Sequence, residues 1–151
     1  GFPLTTKEPA VTPRGPYPVT AYGKPLADLE EVERARQAPD RRVIDVRAAV
    51  RYRGEKEPFD PIAGHIPGAR NVPLTENLTG EGEFKSAAAL KAMYLQALDG
   101  VPPEQAIIHC GSGVTACHTL LALERAGLGG AKLYVGSWSE WCRHPERARA
   151  P

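Results

Sequence analysis

The stretch Ala106-Ile107-Ile108-His109-Cys110-Gly111-Ser112-Gly113-Val114-Thr115-Ala116 decides how this chain folds. Ala106 to His109 is a short apolar run of strand length, and Ala116 to Ala126 continues at helical spacing up to Gly127, a residue suited to the left-handed end of a helix. Between them, Gly111 and Gly113 permit a sharp turn that carries the chain from strand to helix. The order strand, cysteine, small-residue loop, helix places the Cys110 thiol at the carboxyl end of a strand and at a helix amino terminus. In open α/β sheets ligands collect at that edge.

The same loop sets the chemistry. Gly111 and Gly113 can turn successive N–H groups inward, and the resulting nest, with the helix dipole, stabilises negative charge. Thiol pKa values fall from about 8.5 toward about 3.5 to 7.5 in such settings, so Cys110 is expected to ionise and act as a nucleophile. Ser112 and Thr115 add hydroxyl donors. Phosphatases of the Cys-x5-Arg type and arsenate reductases also set a thiolate below a His-Cys pair, which His109-Cys110 matches. They need a guanidinium at the sixth position after the cysteine to clamp phosphate, and here that position is Ala116. A cysteine packed only as a small hydrophobe would not require Gly-Ser-Gly after it.

Outward from this loop, strand-like and helix-like segments alternate, the pattern of an α/β domain. Leu26, Leu29, Val32 and Ala35 recur at helical spacing, and Arg42 to Val46 follows as a strand. Ser86 reads as the N-cap of a helix through Leu90, Met93, Tyr94, Ala97 and Leu98, closed by Asp99-Gly100. Leu133 to Val135 supplies another strand. Residues 1–20, with Pro3, Pro9, Pro13 and Pro16, read as an extended linker and the tail of a missing upstream domain. The domain then occupies 21–142, and 143–151 reads as a solvated tail.

Composition narrows the partners. The 151 residues are 42% hydrophobic and 25% charged, with 19 Lys and Arg against 18 Asp and Glu. One domain is the expected count, and no field exists to attract nucleic acid or an acidic membrane surface. Three cysteines without a Cys-x-x-Cys pair argue against a disulfide framework and against a zinc knuckle, which suits a reducing, cytoplasmic setting with no metal and no cofactor. No apolar run approaches the roughly 18 residues of a membrane span.

Four segments together resemble the rhodanese family, in particular the carboxy-terminal domain of tandem sulfurtransferases acting on thiosulfate or 3-mercaptopyruvate. They are Asp45-Val46-Arg47 with Arg51-Tyr52-Arg53-Gly54, Gly64-His65-Ile66-Pro67-Gly68-Ala69, the loop Cys110 to Thr115, and Gly136-Ser137-Trp138-Ser139-Glu140-Trp141. The resemblance implies a three-layer fold with a five-stranded parallel sheet and helices on both faces. It also implies two-step transfer through a Cys110 persulfide, from a small sulfur donor to cyanide or a thiol, with a silent rhodanese-like domain upstream. A non-catalytic rhodanese-like binding module is the other reading, and Cys110 argues against it. The neutral loop Gly111, Ser112, Gly113, Val114 and Thr115 resembles the mercaptopyruvate enzymes, whereas thiosulfate enzymes carry Arg and Lys after the cysteine. Two departures stand out: Glu55 to Ala63 contains no second Arg, and Val135 replaces the usual Asp.

Arg51, and after it Arg53, are the candidates to bind the donor's anionic group. For Arg51 the competing role is a surface ion pair with an acid such as Glu55. Asp45 is expected to order the turn after its strand, His65 to fix the Gly-His-Ile-Pro turn by hydrogen bonding, and Trp138 and Trp141 to pack in the core. Cys117, seven residues beyond Cys110, is expected to be buried and inert. Cys142 becomes a redox partner only if the carboxy-terminal segment folds back over the loop.

Overall fold

The computed structural model describes residues 3–8, 10, 15, 16, 23 and 25–151, so most of the linker expected at 1–20 lies outside the described residues. The elements run β1 (Leu26–Ala27), α1 (Leu29–Ala35), β2 (Arg42–Asp45), α2 (Ala49–Tyr52), β3 (Arg70–Asn71), α3 (Ala87–Leu98), β4 (Ala106–His109), α4 (Val114–Arg125), β5 (Lys132–Tyr134) and α5 (Ser137–Trp141). The strands form a five-stranded sheet in the order β1-β5-β4-β2-β3, with each adjacent pair parallel. The fold class expected from the alternating pattern is therefore observed.

Strand β4 is central and buried at all four positions, as a strand covered by helices on both faces must be. Its register with β2 sets Val43 beside Ile107 and Ile44 beside Ile108. Because side chains alternate across a strand, each pair feeds a different core. Ile44 and Ile108 pack with Leu90, Tyr94 and Leu98 of α3 and with Ala122 and Leu123 of α4. Val43 and Ile107 pack with Val32 and Ala35 of α1 and with Trp138 and Trp141 of α5. Both tryptophans are thus core residues, as expected.

Local signals held where they were strongest. The Ser86 hydroxyl accepts from Ala89 N–H, and Asp99 ends α3 in the left-handed conformation. Some boundaries differ: β5 is Lys132–Tyr134 where Leu133 to Val135 was expected, α4 starts at Val114 and not Ala116, and Leu26 lies in β1, not in the helix grouped with it. Asp28 intervenes as N-cap, accepting from Glu31 N–H at 2.7 Å, so the helix starts only at Leu29. The edge strands β1 and β3 are two residues long and too short to carry a periodic signal.

The carboxy-terminal segment is not a solvated end. His65 and Ala150 exchange both backbone hydrogen bonds, at 2.8 and 3.0 Å, and the Trp141 indole donates to Ala148 O at 3.0 Å. Gly64 makes this approach possible: at φ +115° it occupies a conformation open to glycine, and a Cβ there would collide with the Ala150 carbonyl. The tail satisfies backbone groups that the turn would otherwise leave to solvent.

Candidate active site

Cys110 emerges from the end of β4 with 1% of its surface exposed, directly ahead of α4. Gly113 is the N-cap of α4 at φ +81°. A Cβ there would stand 2.7 Å from the Val135 carbonyl oxygen, so glycine is required both for the turn and for the close passage of the next loop. That loop pins the site: Trp138 N–H donates to Cys110 O at 3.1 Å, Ser139 N–H donates to Gly111 O at 2.9 Å, and Cys110 N–H donates to Ser137 Oγ at 3.2 Å. The Gly136-to-Trp141 segment is thus the brace of the cysteine loop.

Burial by itself would push the Cys110 thiol up. Hydrogen bonds from the Thr115 hydroxyl and from the backbone N–H groups of Ser112, Ala116 and Thr115 outweigh it and hold the thiol below its ordinary value. These are the donors expected of a nest at a helix amino terminus. Ala116 supplies only its N–H; its methyl is fully buried, and nothing there can clamp a phosphate as an arginine would. Behind the cysteine, His109 is completely buried, and burial lowers its pKa, so the imidazole is neutral. Its Nδ1 lies 3.1 Å from Cys110 O, which can only accept, so the proton sits on Nδ1. Nε2 is left 3.8 Å from Asp45 Oδ2.

A cavity of about 370 Å3 opens at the thiol, lined by Arg51, Phe59 and Asp60 and by Cys110, Ser112 and Thr115. A larger groove of about 450 Å3 lies beside Leu120, Leu121 and Leu133, away from Cys110 and its loop. It has no part in the chemistry of the thiol.

Arg51 reaches the Cys110 cavity, as expected, but its acid partners are not Glu55. Its Nε and Nη2 take Glu57 in two places, at 3.2 and 2.7 Å, and Nη2 also lies 3.5 Å from Asp60 Oδ2. The guanidinium lies over the Phe59 ring, 5.0 Å from its centre. Glu57 is itself held below the usual carboxylate range. Its burial acts against that and is outweighed by Arg51 and by the N–H groups of Phe59 and Asp60. Arg53, the second candidate, is not brought to the cavity. It follows α2 by one residue, points to solvent and pairs with Glu55 at 2.6 Å, both side chains about half exposed at 52%.

Below this wall, Asp45 orders the turn after β2 by accepting from Arg47 N–H at 2.9 Å, as expected, and it also binds the Arg47 guanidinium. Arg47 spans outward to Gly64 O at 2.8 Å and lies over the Trp138 ring. His65 fixes its turn as expected, with Nδ1 2.8 Å from Tyr52 O and its ring stacked on Tyr52. Glu57, Phe59 and Asp60 were invisible in the sequence, because a Pro-containing loop has no period from which to infer facing.

Of the other two cysteines, Cys117 departs from expectation. Cys117 is exposed, not buried: α4 turns its buried stripe, Ala116, Thr119, Ala122 and Leu123, toward the sheet, and Cys117 falls outside it. Cys142 is fully buried on the α1 and α5 side of the sheet, whereas Cys110 belongs to the core on the other side. Burial raises the Cys142 thiol. The carboxy-terminal segment does fold back, yet it presents Ala150 to the His65 turn and leaves Cys142 in the core.

Comparison with known proteins agrees with this geometry. The model of the rhodanese-like domain matches residues 28–144. A Pseudomonas aeruginosa protein named as a probable 3-mercaptopyruvate sulfurtransferase is 41% identical over 147 residues, covering 97% of this chain and 51% of the relative. The 3-mercaptopyruvate sulfurtransferase of Escherichia coli K12 is 39% identical over 142 residues, covering 91% of this chain and 50% of that protein. Among solved structures, the Tum1 protein of Saccharomyces cerevisiae superposes with a TM-score of 0.69 at 30% identity, over 83% of this chain and 46% of that one. The chain spans about half the length of the curated relatives it matches. A braced cysteine at the end of the central strand and a family match across 28–144 lead to one assignment: this chain belongs to the rhodanese family.

Proposed function

We propose that this chain is the persulfide-forming unit of a sulfurtransferase that takes sulfur from 3-mercaptopyruvate. The observation that carries the reading is the Cys110 thiol, 1% exposed and held low by the Thr115 hydroxyl and three backbone N–H groups. A thiolate stabilised by fixed dipoles in a water-poor site is a ready nucleophile.

In the first half-reaction the Cys110 thiolate attacks the donor sulfur. The donor's C–S bond breaks, and the proton of its thiol passes to the departing carbon, releasing pyruvate and leaving Cys110 as a persulfide anion. In the second, an acceptor thiolate attacks the terminal sulfur; the S–S bond breaks and the Cys110 thiolate departs. The same three N–H groups and the Thr115 hydroxyl support a persulfide anion as they do the thiolate, whereas Ser112, expected to add its hydroxyl, acts on Cys110 through its backbone N–H.

The choice of donor follows from charge. Of the charged side chains lining the cavity, the Arg51 guanidinium faces the Asp60 carboxylate and is held by Glu57, so the wall carries no excess positive charge. A monoanion suits it better than dianionic thiosulfate. The reading includes a second rhodanese-like unit upstream and a reducing, cytoplasmic setting, supported by the length of the relatives and by three free cysteines.

Intact-mass measurement after incubation with 3-mercaptopyruvate tests the reading. Gain of one sulfur by the wild type and none by Cys110→Ser is expected. An unchanged mass with 3-mercaptopyruvate overturns it, and a gain with thiosulfate alone moves the assignment to that donor.

A further inference from the structure

Asp60 is 2% exposed at its side chain, yet it lines the Cys110 cavity, and its Oδ2 has no hydrogen-bond partner. A buried carboxylate oxygen without a donor is costly, and in a native fold such an atom calls for a reason. Its neighbours do not supply one. Arg51 Nη2 stands 3.5 Å away, but the better-aligned edge of that guanidinium is already committed to Glu57. Arg143 approaches the other oxygen, Oδ1, at 3.3 Å from a side chain 55% exposed, where solvent screens the pair. The Asp60 N–H turns to Glu57, at 3.2 Å. Oδ2 is therefore a negatively charged acceptor without a hydrogen bond, buried in a residue that lines the cavity, with Arg51 Nη2 at 3.5 Å.

The rest of the rim gives a ligand's charged group few other acceptors. Phe59 and Val114, 78% and 74% exposed, are apolar residues of the cavity lining. Arg51 offers Nη1, which faces Gly111. A small thiol approaching a Cys110 persulfide thus meets one carboxylate oxygen within the cavity that lacks a donor.

We propose that Asp60 is a specificity-determining residue of this site: its Oδ2 receives the ammonium group of a small amino-thiol acceptor and disfavours anionic acceptors. The proposal rests on the sulfurtransferase reading for its biology and on the electrostatics of the cavity for its test. A unit charge a few ångströms from a ligand, in a site partly shielded from water, shifts encounter and binding by about tenfold or more.

The test has two arms, both in a Cys117→Ser background, which removes the exposed thiol so that modification of Cys110 in its cavity is the reaction followed. In the first, the rate of Cys110 modification is compared for two methanethiosulfonates, one with a 2-aminoethyl and one with a 2-sulfonatoethyl group. Each rate is divided by that for a free thiol in solution. The ammonium reagent is expected to be favoured, and Asp60→Asn is expected to cut the ratio about tenfold while Asp60→Glu restores most of it. This arm needs no sulfur transfer, so failure of the proposed function leaves it intact. In the second, persulfidated protein is discharged by cysteamine, 2-mercaptoethanol or mercaptoacetate, which are similar in size and differ in charge. The expected order of kcat/KM is cysteamine, then 2-mercaptoethanol, then mercaptoacetate, collapsing in Asp60→Asn when both proteins are first loaded to the same persulfide content, read by intact mass. Equal charge ratios in wild type and Asp60→Asn overturn the proposal, as does a preference for the anionic reagent. Circular dichroism and thermal melts of each variant separate an altered charge from an unfolded wall.

Discussion

Arg47 Nη2 lies 2.6 Å from Asp45 Oδ2, with the two side chains 1% and 0% exposed. This pair joins the end of β2 to the Gly64 turn through Gly64 O and to the active-site wall through Glu57. Removing one member leaves the other charge buried without its main partner, which costs far more than the pair contributes. Asp45→Asn should destabilise the fold by about 3 kcal/mol, near the low end for such pairs because Glu57 remains. Urea denaturation followed by tryptophan fluorescence measures it; an unchanged midpoint would show that the pair is dispensable.

Gly113→Ala adds a methyl at φ +81°, 2.7 Å from the Val135 carbonyl. The left-handed backbone alone costs about 1–2 kcal/mol for a non-glycine residue, and the contact adds to it. Because the strain falls on the loop that carries Cys110, persulfide formation should drop more steeply than thermal stability. Comparing the melting temperature with the mass gain after donor treatment checks this, and equal loss of both would contradict it.

Thr115→Val removes the first of the hydrogen bonds that lower the Cys110 thiol. The pH at which Cys110 alkylation reaches half its maximal rate should move upward relative to wild type. The sign on stability follows. A thiol depressed in the fold contributes stability that is fully present above the unfolded pKa and lost as pH falls through the folded one. Wild type should therefore gain stability over Cys110→Ser as pH rises toward the ordinary thiol value of 9.0, and Thr115→Val should narrow that window. A midpoint unmoved by the substitution would exclude the hydroxyl as a determinant.

Arg51→Lys keeps the charge and loses the two-point contact with Glu57. It should raise KM for 3-mercaptopyruvate about tenfold, equivalent to about 1.4 kcal/mol, with kcat less affected. Arg53→Ala, at an exposed position paired with Glu55, should leave both constants and the melting temperature unchanged. Steady-state kinetics on the two variants separates the roles; an effect at Arg53 equal to that at Arg51 would reject the assignment.

Deleting residues 147–151 removes the His65–Ala150 bridge and the acceptor of the Trp141 indole. Three lost hydrogen bonds at about 1 kcal/mol each should lower the melting temperature by about 6–12 °C. Amide exchange at His65 should accelerate with it. An unchanged exchange rate at His65 would restore the view of a solvated tail.

What the sequence by itself determined was contiguous. Ala106 to His109, the Gly111 and Gly113 turn, and the helix after it are all local: a buried strand pattern, two residues permissive of positive φ, and a 3.6-residue period. They suffice to place Cys110 at a helix amino terminus and to anticipate the Thr115 and backbone donors. The Ser86 and Asp99 ends of α3 were readable for the same reason, since caps act within a turn of the residues they cap.

What only the tertiary structure decided depended on contacts between segments that no period relates. Arg51 meets Glu57 and Asp60, not Glu55, because the loop after α2 folds over the end of β4; Arg53, two residues on, turns away to solvent. Cys117 is exposed because the sheet lies against the opposite stripe of α4, and helical spacing fixes which residues share a face but not which face meets the sheet. The tail is docked because Gly64 leaves room for Ala150, a contact between residues 86 positions apart that only the closed fold brings together.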